Sequence, residues 1–297
     1  MAAGTTTAAL RGDDAEASGQ DFYIHGYSPE EQKRLLEQAE YWGPSILAGL
    51  PRTRPGELLF EVGVGVGAVL KLIASARPDL RLAGIDLEPR QVDAARRTLA
   101  QAGVCDRAQG GNAIVVGQAE RLPLSDSSVD HCVMVWLLEH VADPLQALRE
   151  AWRVLKPGGT LYAVETDYTT LVAFPDPSGA FADLRDTFVK RFDRDGRAVC
   201  GPNVGGWMSE AGFVGVRSDE VRSGVWSVAE QAPGAVLSHA NYFLRFIEPE
   251  FDAMLRETPS ISRGRLEEGA AAMRSAATHR DGLVGIHIWR VVGEKPQ

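Results

Sequence analysis

The sequence predicts an α/β fold, a doubly wound sheet of seven strands carrying helical insertions. Three observations predict it. Short apolar runs alternate with amphipathic helix-length segments from residue 58 to 165; a glycine-rich turn joins the first run to the first of those helices; and after 165 the rhythm breaks into aromatic-rich, helical stretches around two further strands. Of the 297 residues, 44% are hydrophobic and 24% charged, ordinary globular values that exclude collagen-like, coiled-coil and disordered chains. Forty acidic against 31 basic residues give a net charge of −9, which repels phosphate backbones and anionic lipid and so disfavours nucleic-acid and membrane partners. Cys105, Cys132 and Cys200 are too few and too scattered for a disulfide framework or a zinc cluster, which points to a reducing, cytoplasmic compartment. Residues 1–20 carry Asp13, Asp14 and Glu16 and no apolar core, so they read as a disordered tail and not as a targeting peptide.

The elements follow in order. Ser28-Pro29-Glu30-Glu31 is a capping box with proline at the first helical position, and Leu35, Leu36, Ala39 and Trp42 recur at helical spacing. This helix is expected to end near Gly43-Pro44, within an N-terminal helical cap over residues 21–55. Leu58 to Val62 is a buried strand stopped by glycines, and Val69, Leu72, Ile73 and Ala76 mark the following helix. Arg81 to Asp86 is the second strand, and Pro89 opens a helix with Val92, Ala95, Leu99 and Ala102 on one face. Ala113 to Val116 and Val129 to Trp136 are the third and fourth strands. Asp143-Pro144 caps a helix through Leu145, Leu148, Trp152 and Leu155, and Thr160 to Glu165 is the fifth strand. Such alternation specifies parallel pairing with right-handed crossovers. Residues 166–202 read as helical, Gly201 to Gly212 as a helix and Phe213 to Val221 as a strand; residues 223–280 read as mostly helical and Gly285 to Val292 as the last strand. The sheet domain is then 56–222 with 281–297, and segments 166–202 and 223–280 form a lid.

Glu61-Val62-Gly63-Val64-Gly65-Val66-Gly67-Ala68 is the most informative segment. Glycines between a strand and a helix permit positive φ and bring bare backbone against a ligand, and the free N–H groups at a helix start favour an anionic or electron-rich one. A nucleotide-like ligand therefore belongs there. Gly63-x-Gly65-x-x-Ala68 also satisfies the dinucleotide fingerprint, and Asp86 at the end of the next strand suits ribose hydroxyls in either case.

Six segments together resemble the successive motifs of class I S-adenosylmethionine-dependent methyltransferases. They are Phe60-Glu-Val-Gly-Val-Gly-Val-Gly67, Gly84-Ile-Asp-Leu-Glu-Pro89, Gly117-Gln-Ala-Glu-Arg-Leu-Pro-Leu124, Leu137-Leu-Glu-His-Val-Ala-Asp-Pro144, Arg153-Val-Leu-Lys-Pro-Gly-Gly159 and Glu210-Ala-Gly-Phe213. The likeness spans residues 57–222 and the final strand, and bacterial small-molecule and natural-product enzymes look most similar. It implies a Rossmann-like seven-stranded fold and S-adenosyl-L-methionine as cofactor. By motif position Gly63, Gly65 and Gly67 would line the methionine and ribose part, Glu61 would sit near the ammonium, and Asp86 would accept from the ribose hydroxyls. Leu87 would pack on adenine beside Gln118 and Ala119, and Trp136 and Leu137 would face the sulfonium. Gln118 departs from the family's usual aspartate, although its amide oxygen still accepts hydrogen bonds.

Methyl transfer is an in-line displacement that needs alignment and the exclusion of water, with no metal site expected. His140, following the fourth strand, is the candidate base. Tyr23, His25 and Tyr27 precede the first helix, where a segment would close over the cofactor, and Asp167 and Tyr168 are candidates for substrate contact at the end of the fifth strand. The lid aromatics Phe174, Phe181, Phe188, Phe192, Trp207, Trp226, Tyr242, Phe243 and Phe246 suit a partly hydrophobic small-molecule acceptor of O, N or C methylation, bound by a monomer or homodimer. The alternatives are an S-adenosylmethionine-binding protein with other chemistry or a regulatory role, and an NAD-dependent oxidoreductase.

Overall fold

A computed structural model of the chain describes residues 27–104, 113–193, 197–225 and 234–297. The expected tail at 1–20 and Tyr23 lie outside the described residues. Helices α1 (Pro29–Gly49), α2 (Ala68–Ala76), α3 (Pro89–Gln101), α4 (Pro144–Val154), α5 (Ala180–Phe192), α6 (Cys200–Glu210), α7 (Ala235–Ile247), α8 (Phe251–Glu257) and α9 (Arg263–Ser275) accompany seven strands. These are β1 (Leu58–Val62), β2 (Arg81–Asp86), β3 (Ile114–Val116), β4 (Val129–Val135), β5 (Leu155–Phe174), β6 (Val214–Val225) and β7 (Leu283–Glu294).

The strands form one sheet in the order β3-β2-β1-β4-β5-β7-β6. The first five are parallel, and β7 runs antiparallel to both β5 and β6. Strand order reverses between β1 and β4, so the carboxyl ends of β1, β2 and β4 flank the crevice where such sheets take ligands. One apolar cluster joins α1, α2, α3, α5, α7 and α9 to one face, and a second packs α4 and α6 on the other. Local chemistry sets the helix starts: Ser28 Oγ accepts from the Glu31 N–H at 3.2 Å, and Asp143 Oδ1 accepts from the Gln146 N–H at 2.9 Å.

Two elements differ from the sequence reading. The first helix does not stop at Gly43-Pro44; α1 continues through Pro44 to Gly49. Tertiary contacts hold its last turns. The Tyr162 hydroxyl donates to the Ile46 carbonyl at 2.9 Å, Arg290 Nη1 donates to the Ser45 carbonyl at 3.0 Å, and Leu72 packs against Gly43. Residues 166–174, read as the start of a helical segment, instead prolong β5, with Thr166 opposite Ile288 and Phe174 opposite Leu283. The β-branched residues Thr166, Thr169, Thr170 and Val172 favour extended backbone, and a register shift between Asp167 and Val172 absorbs the bend. Among the described residues no helix is long and apolar enough to cross a membrane.

Because α1 forms the roof of the crevice, its anchor is testable. Tyr162→Phe removes a buried hydroxyl donor and leaves the Ile46 carbonyl without its hydrogen bond, so it should cost about 1 kcal/mol in denaturant unfolding. An unchanged midpoint would mean that the anchor contributes nothing.

Candidate functional site

Two cavities open at the carboxyl ends of β1, β2 and β4 and share Tyr27, Gly63, Asp86, Leu137 and His140 in their walls. They are the two lobes of one cleft. One lobe, about 840 Å³ with its open mouth included, is lined by Ile85, Leu87, Gln118, Ala119 and Val141. The other, about 1060 Å³ on the same basis, is lined by Glu61, Arg34, Trp42, Trp136, Glu139, Thr166, Tyr168, Tyr242, Phe243 and Phe246 among others.

The glycine turn builds the floor between them. Gly63, Gly65 and Gly67 have φ of +77°, +50° and +77°, in the left-handed region that side chains disfavour. A Cβ on Gly63 would lie 2.6 Å from Leu137 Cδ1, whereas one on Gly65 would find Leu35 at 4.0 Å and otherwise open space. Gly67 is placed differently from the expectation: it lines neither lobe, and a Cβ there would meet Ala95 Cα at 3.0 Å, so it serves the packing of α2 on α3. The Gly65 N–H donates to Asp86 Oδ2 at 2.8 Å and the Glu88 N–H to Oδ1 at 3.0 Å. Burial nevertheless pushes the Asp86 carboxyl above its ordinary value. Glu61 is 2% exposed, and its Oε2 has no hydrogen-bond partner. Burial, and then the charge of Asp86, raise its carboxyl well above the usual range.

The junction of the lobes is the turn after β4. Trp136 sits at φ +50°, a costly conformation for a bulky residue, and neighbouring groups hold it there. Its indole N–H donates to Thr166 Oγ1 at 2.9 Å, and the N–H groups of Leu137 and Leu138 both donate to Glu165 Oε1, at 2.9 and 2.7 Å. Glu165 is fully buried, and burial followed by the neighbouring Glu139 pushes its carboxyl well up. Within the turn the His140 N–H closes onto the Leu137 carbonyl at 2.8 Å. His140 Nε2 lies 3.3 Å from Glu139 Oε1, the same oxygen that accepts from the Tyr168 hydroxyl at 3.4 Å. Glu139 is 4% exposed and its Oε2 has no partner.

The roof is aromatic. Trp42 on α1 donates its indole N–H to the Tyr242 hydroxyl of α7 at 3.1 Å, and its ring stands 6.0 Å from that of Trp136. Of the residues singled out in the sequence, Glu61, Gly63, Gly65, Asp86, Leu87, Gln118, Ala119, Trp136, Leu137, His140, Tyr27 and Tyr168 all line this cleft. Asp167 does not; its carboxylate is spent on the Thr169 N–H and hydroxyl, stabilising the bend in β5. Phe174 is 52% exposed, Phe181 and Phe188 belong to the core, and Trp226 lies outside the described residues. Sequence reasoning missed Arg34, Trp42, Glu139 and Thr166 as cleft residues. Trp42 carried a signal, a large ring on the buried stripe of a capping helix, but that signal equally describes core.

Residues 60–163 match the sequence family described as "Methyltransferase domain". The chain is similar to 27-O-demethylrifamycin SV methyltransferase of Amycolatopsis mediterranei, 33% identical over 162 residues that make up 54% of each chain. It is also similar to demethylmenaquinone methyltransferase of Symbiobacterium thermophilum, 30% identical over 146 residues, 49% of this chain and 56% of that one. The chain thus spans about half the length of these curated relatives. Its fold resembles Haemonchus contortus phosphoethanolamine N-methyltransferase 2, solved with phosphomonomethylethanolamine and S-adenosylhomocysteine, at a TM-score of 0.51 and 15% identity over 86% of this chain and 53% of that one.

The raised Glu61 carboxyl is a stability cost of the ligand-free protein. Its folded value lies above its unfolded one, so the cost is full at pH above the folded value and vanishes below the ordinary carboxylate range, where both states bind the proton. Glu61→Gln should therefore stabilise the ligand-free chain at pH 7 by ~1 kcal/mol or more, with the gain shrinking toward pH 4 in unfolding titrations. A loss of stability at pH 7 would contradict the assignment.

Proposed function

We propose that this chain, whose residues 60–163 match a methyltransferase domain, is a class I methyltransferase that transfers a methyl group from S-adenosyl-L-methionine to an oxygen, nitrogen or carbon atom of a partly hydrophobic small molecule. One observation carries the reading: a single cleft has two chemically different lobes, one a slot with a carboxylate at its edge and the other an aromatic chamber, and His140 lines both.

The residues fit the cofactor. The unpartnered, buried Glu61 Oε2 suits an ammonium group, and Asp86 suits ribose hydroxyls by charge-assisted hydrogen bonds. Leu87 and Ala119 offer apolar contact to a purine, and the Gln118 amide oxygen accepts from an exocyclic amine. When bound, the cofactor supplies a methyl carbon made electrophilic by positive sulfur. The chain's own work is to align an acceptor, keep water out and take up a proton. Trp42, Trp136, Tyr242 and Phe246 wall the chamber with apolar surface, which favours an acceptor with ring or hydrocarbon character. His140 stands at the junction as the base, and Glu139 Oε1 beside its Nε2 orients the ring and stabilises the imidazolium that proton uptake creates. Among the described residues no group of three metal-ligating side chains is gathered, and the proposed displacement uses none. Relatives named for a demethylrifamycin and for demethylmenaquinone support a small-molecule acceptor.

Incubation of the chain with labelled cofactor and a metabolite extract, followed by mass spectrometry, should reveal a product heavier by one methylene group and carrying the label. Release of S-adenosylhomocysteine with no methylated product, or an unlabelled product, would contradict methyl transfer. Asp86→Ala should weaken cofactor binding by roughly 2–3 kcal/mol, since it removes charge-assisted bonds in a partly dry site; unchanged affinity would mean that the ribose lies elsewhere. His140→Ala should lower turnover about tenfold or more while cofactor affinity stays the same. An undiminished turnover would remove His140 from the mechanism.

A further inference from the structure

The charges that line the cleft are unevenly distributed. Glu61, Asp86 and Glu139 supply carboxylates, while among the described lining residues of both lobes Arg34 is the sole lysine or arginine. The methionine end of the cofactor carries an ammonium and a carboxylate on the same carbon. Glu61 answers the first. The second, taken into a cleft of low dielectric, needs a cation close to the glycine turn or it pays a heavy desolvation cost.

Arg34 is built for that position. It lies on α1 beside Leu35, the residue that approaches Gly65 at the turn. Its side chain is 11% exposed, and Glu31 fixes it through two bonds of 2.7 Å to Nε and Nη2. Nη1 donates to the neutral Gln38 oxygen at 3.1 Å, a bond that a carboxylate can replace with a stronger one. The guanidinium also stands 5.6 Å over the Phe246 ring. Held on three sides, the planar fork loses little freedom on meeting a ligand. From this geometry we propose that Arg34 binds the carboxylate of the cofactor's methionine end, opposite Glu61. The assignment rests on the cofactor reading above and adds a residue outside every glycine-turn and strand-end motif.

Calorimetry on the full chain with two probes tests it: S-adenosylhomocysteine and its decarboxylated analogue, which lacks only the carboxylate. The wild-type chain should bind S-adenosylhomocysteine roughly tenfold or more tightly than the analogue. Arg34→Met should abolish that preference while leaving affinity for the analogue within about twofold, which also reports an intact fold. Arg34→Lys, which keeps the charge and a partner for Glu31, should retain part of the preference. A wild-type chain with no preference, a preference that survives Arg34→Met, or a parallel loss of both probes would overturn the assignment. A wild-type chain that binds neither probe would remove the cofactor reading itself, and Arg34's role with it.

Discussion

Two hydrogen bonds from the Leu137 and Leu138 N–H groups to one oxygen of Glu165 hold the cleft together. They fasten the turn after β4 to the adjacent strand β5, and from that turn hang Trp136, Leu137, Glu139 and His140, which line one or both lobes. The arrangement is locally unfavourable. A tryptophan in the left-handed region costs of order 1–3 kcal/mol, and a fully buried carboxyl adds its own desolvation. Those costs are met because each strained group has a partner in the next strand: Glu165 for the two N–H groups, Thr166 for the indole. Residues 165 and 166 thus set the aim of side chains about 28 positions earlier in the chain.

With that junction fixed, the two lobes acquire opposite characters from the layers around them. The floor is backbone and carboxylate: Gly63 and Gly65 in positive φ, Asp86 bonded to the Gly65 N–H, and Glu61 buried without a partner for Oε2. The roof is aromatic, because α1 and α7 bring Trp42 and Tyr242 over it and the Tyr162 and Arg290 anchors keep α1 from ending at Pro44. A charged floor under an apolar roof suits a polar, charge-bearing cofactor and an acceptor of different chemistry side by side. The unmet carboxylate on the floor is costly only while no ligand is present, a common signature of a site kept ready for one.

Much of this was legible in the sequence, and the exceptions have physical reasons. Glycines between a strand and a helix, and an aspartate closing the next strand, are written in local grammar, so spacing together with the family resemblance singles out Glu61, Gly63, Gly65 and Asp86, which line the cleft. Gly67 lies outside the cavity wall, and sequence does not distinguish a glycine kept open for a ligand from one kept small for Ala95. Residues 166–174 were read as helical because their aromatic neighbours hid the run of β-branched residues, and the antiparallel partner that turns them into strand lies more than a hundred residues away. Arg34 and Trp42 were hidden in an ordinary amphipathic stripe: whether a helical face meets core or cavity depends on what it packs against. Asp167 was placed at the right strand end on the wrong side of a bend, a distinction made by the bulge and not by the residue type.

In the proposed function the cleft, with its carboxylates and glycine turn, takes an adenosyl amino acid and not a dinucleotide. Isothermal titration of the full chain with S-adenosylhomocysteine and, separately, with NADH tests that claim most directly. Saturable one-to-one binding of S-adenosylhomocysteine with no heat from NADH is the predicted result. Binding of NADH, with S-adenosylhomocysteine silent, would contradict it.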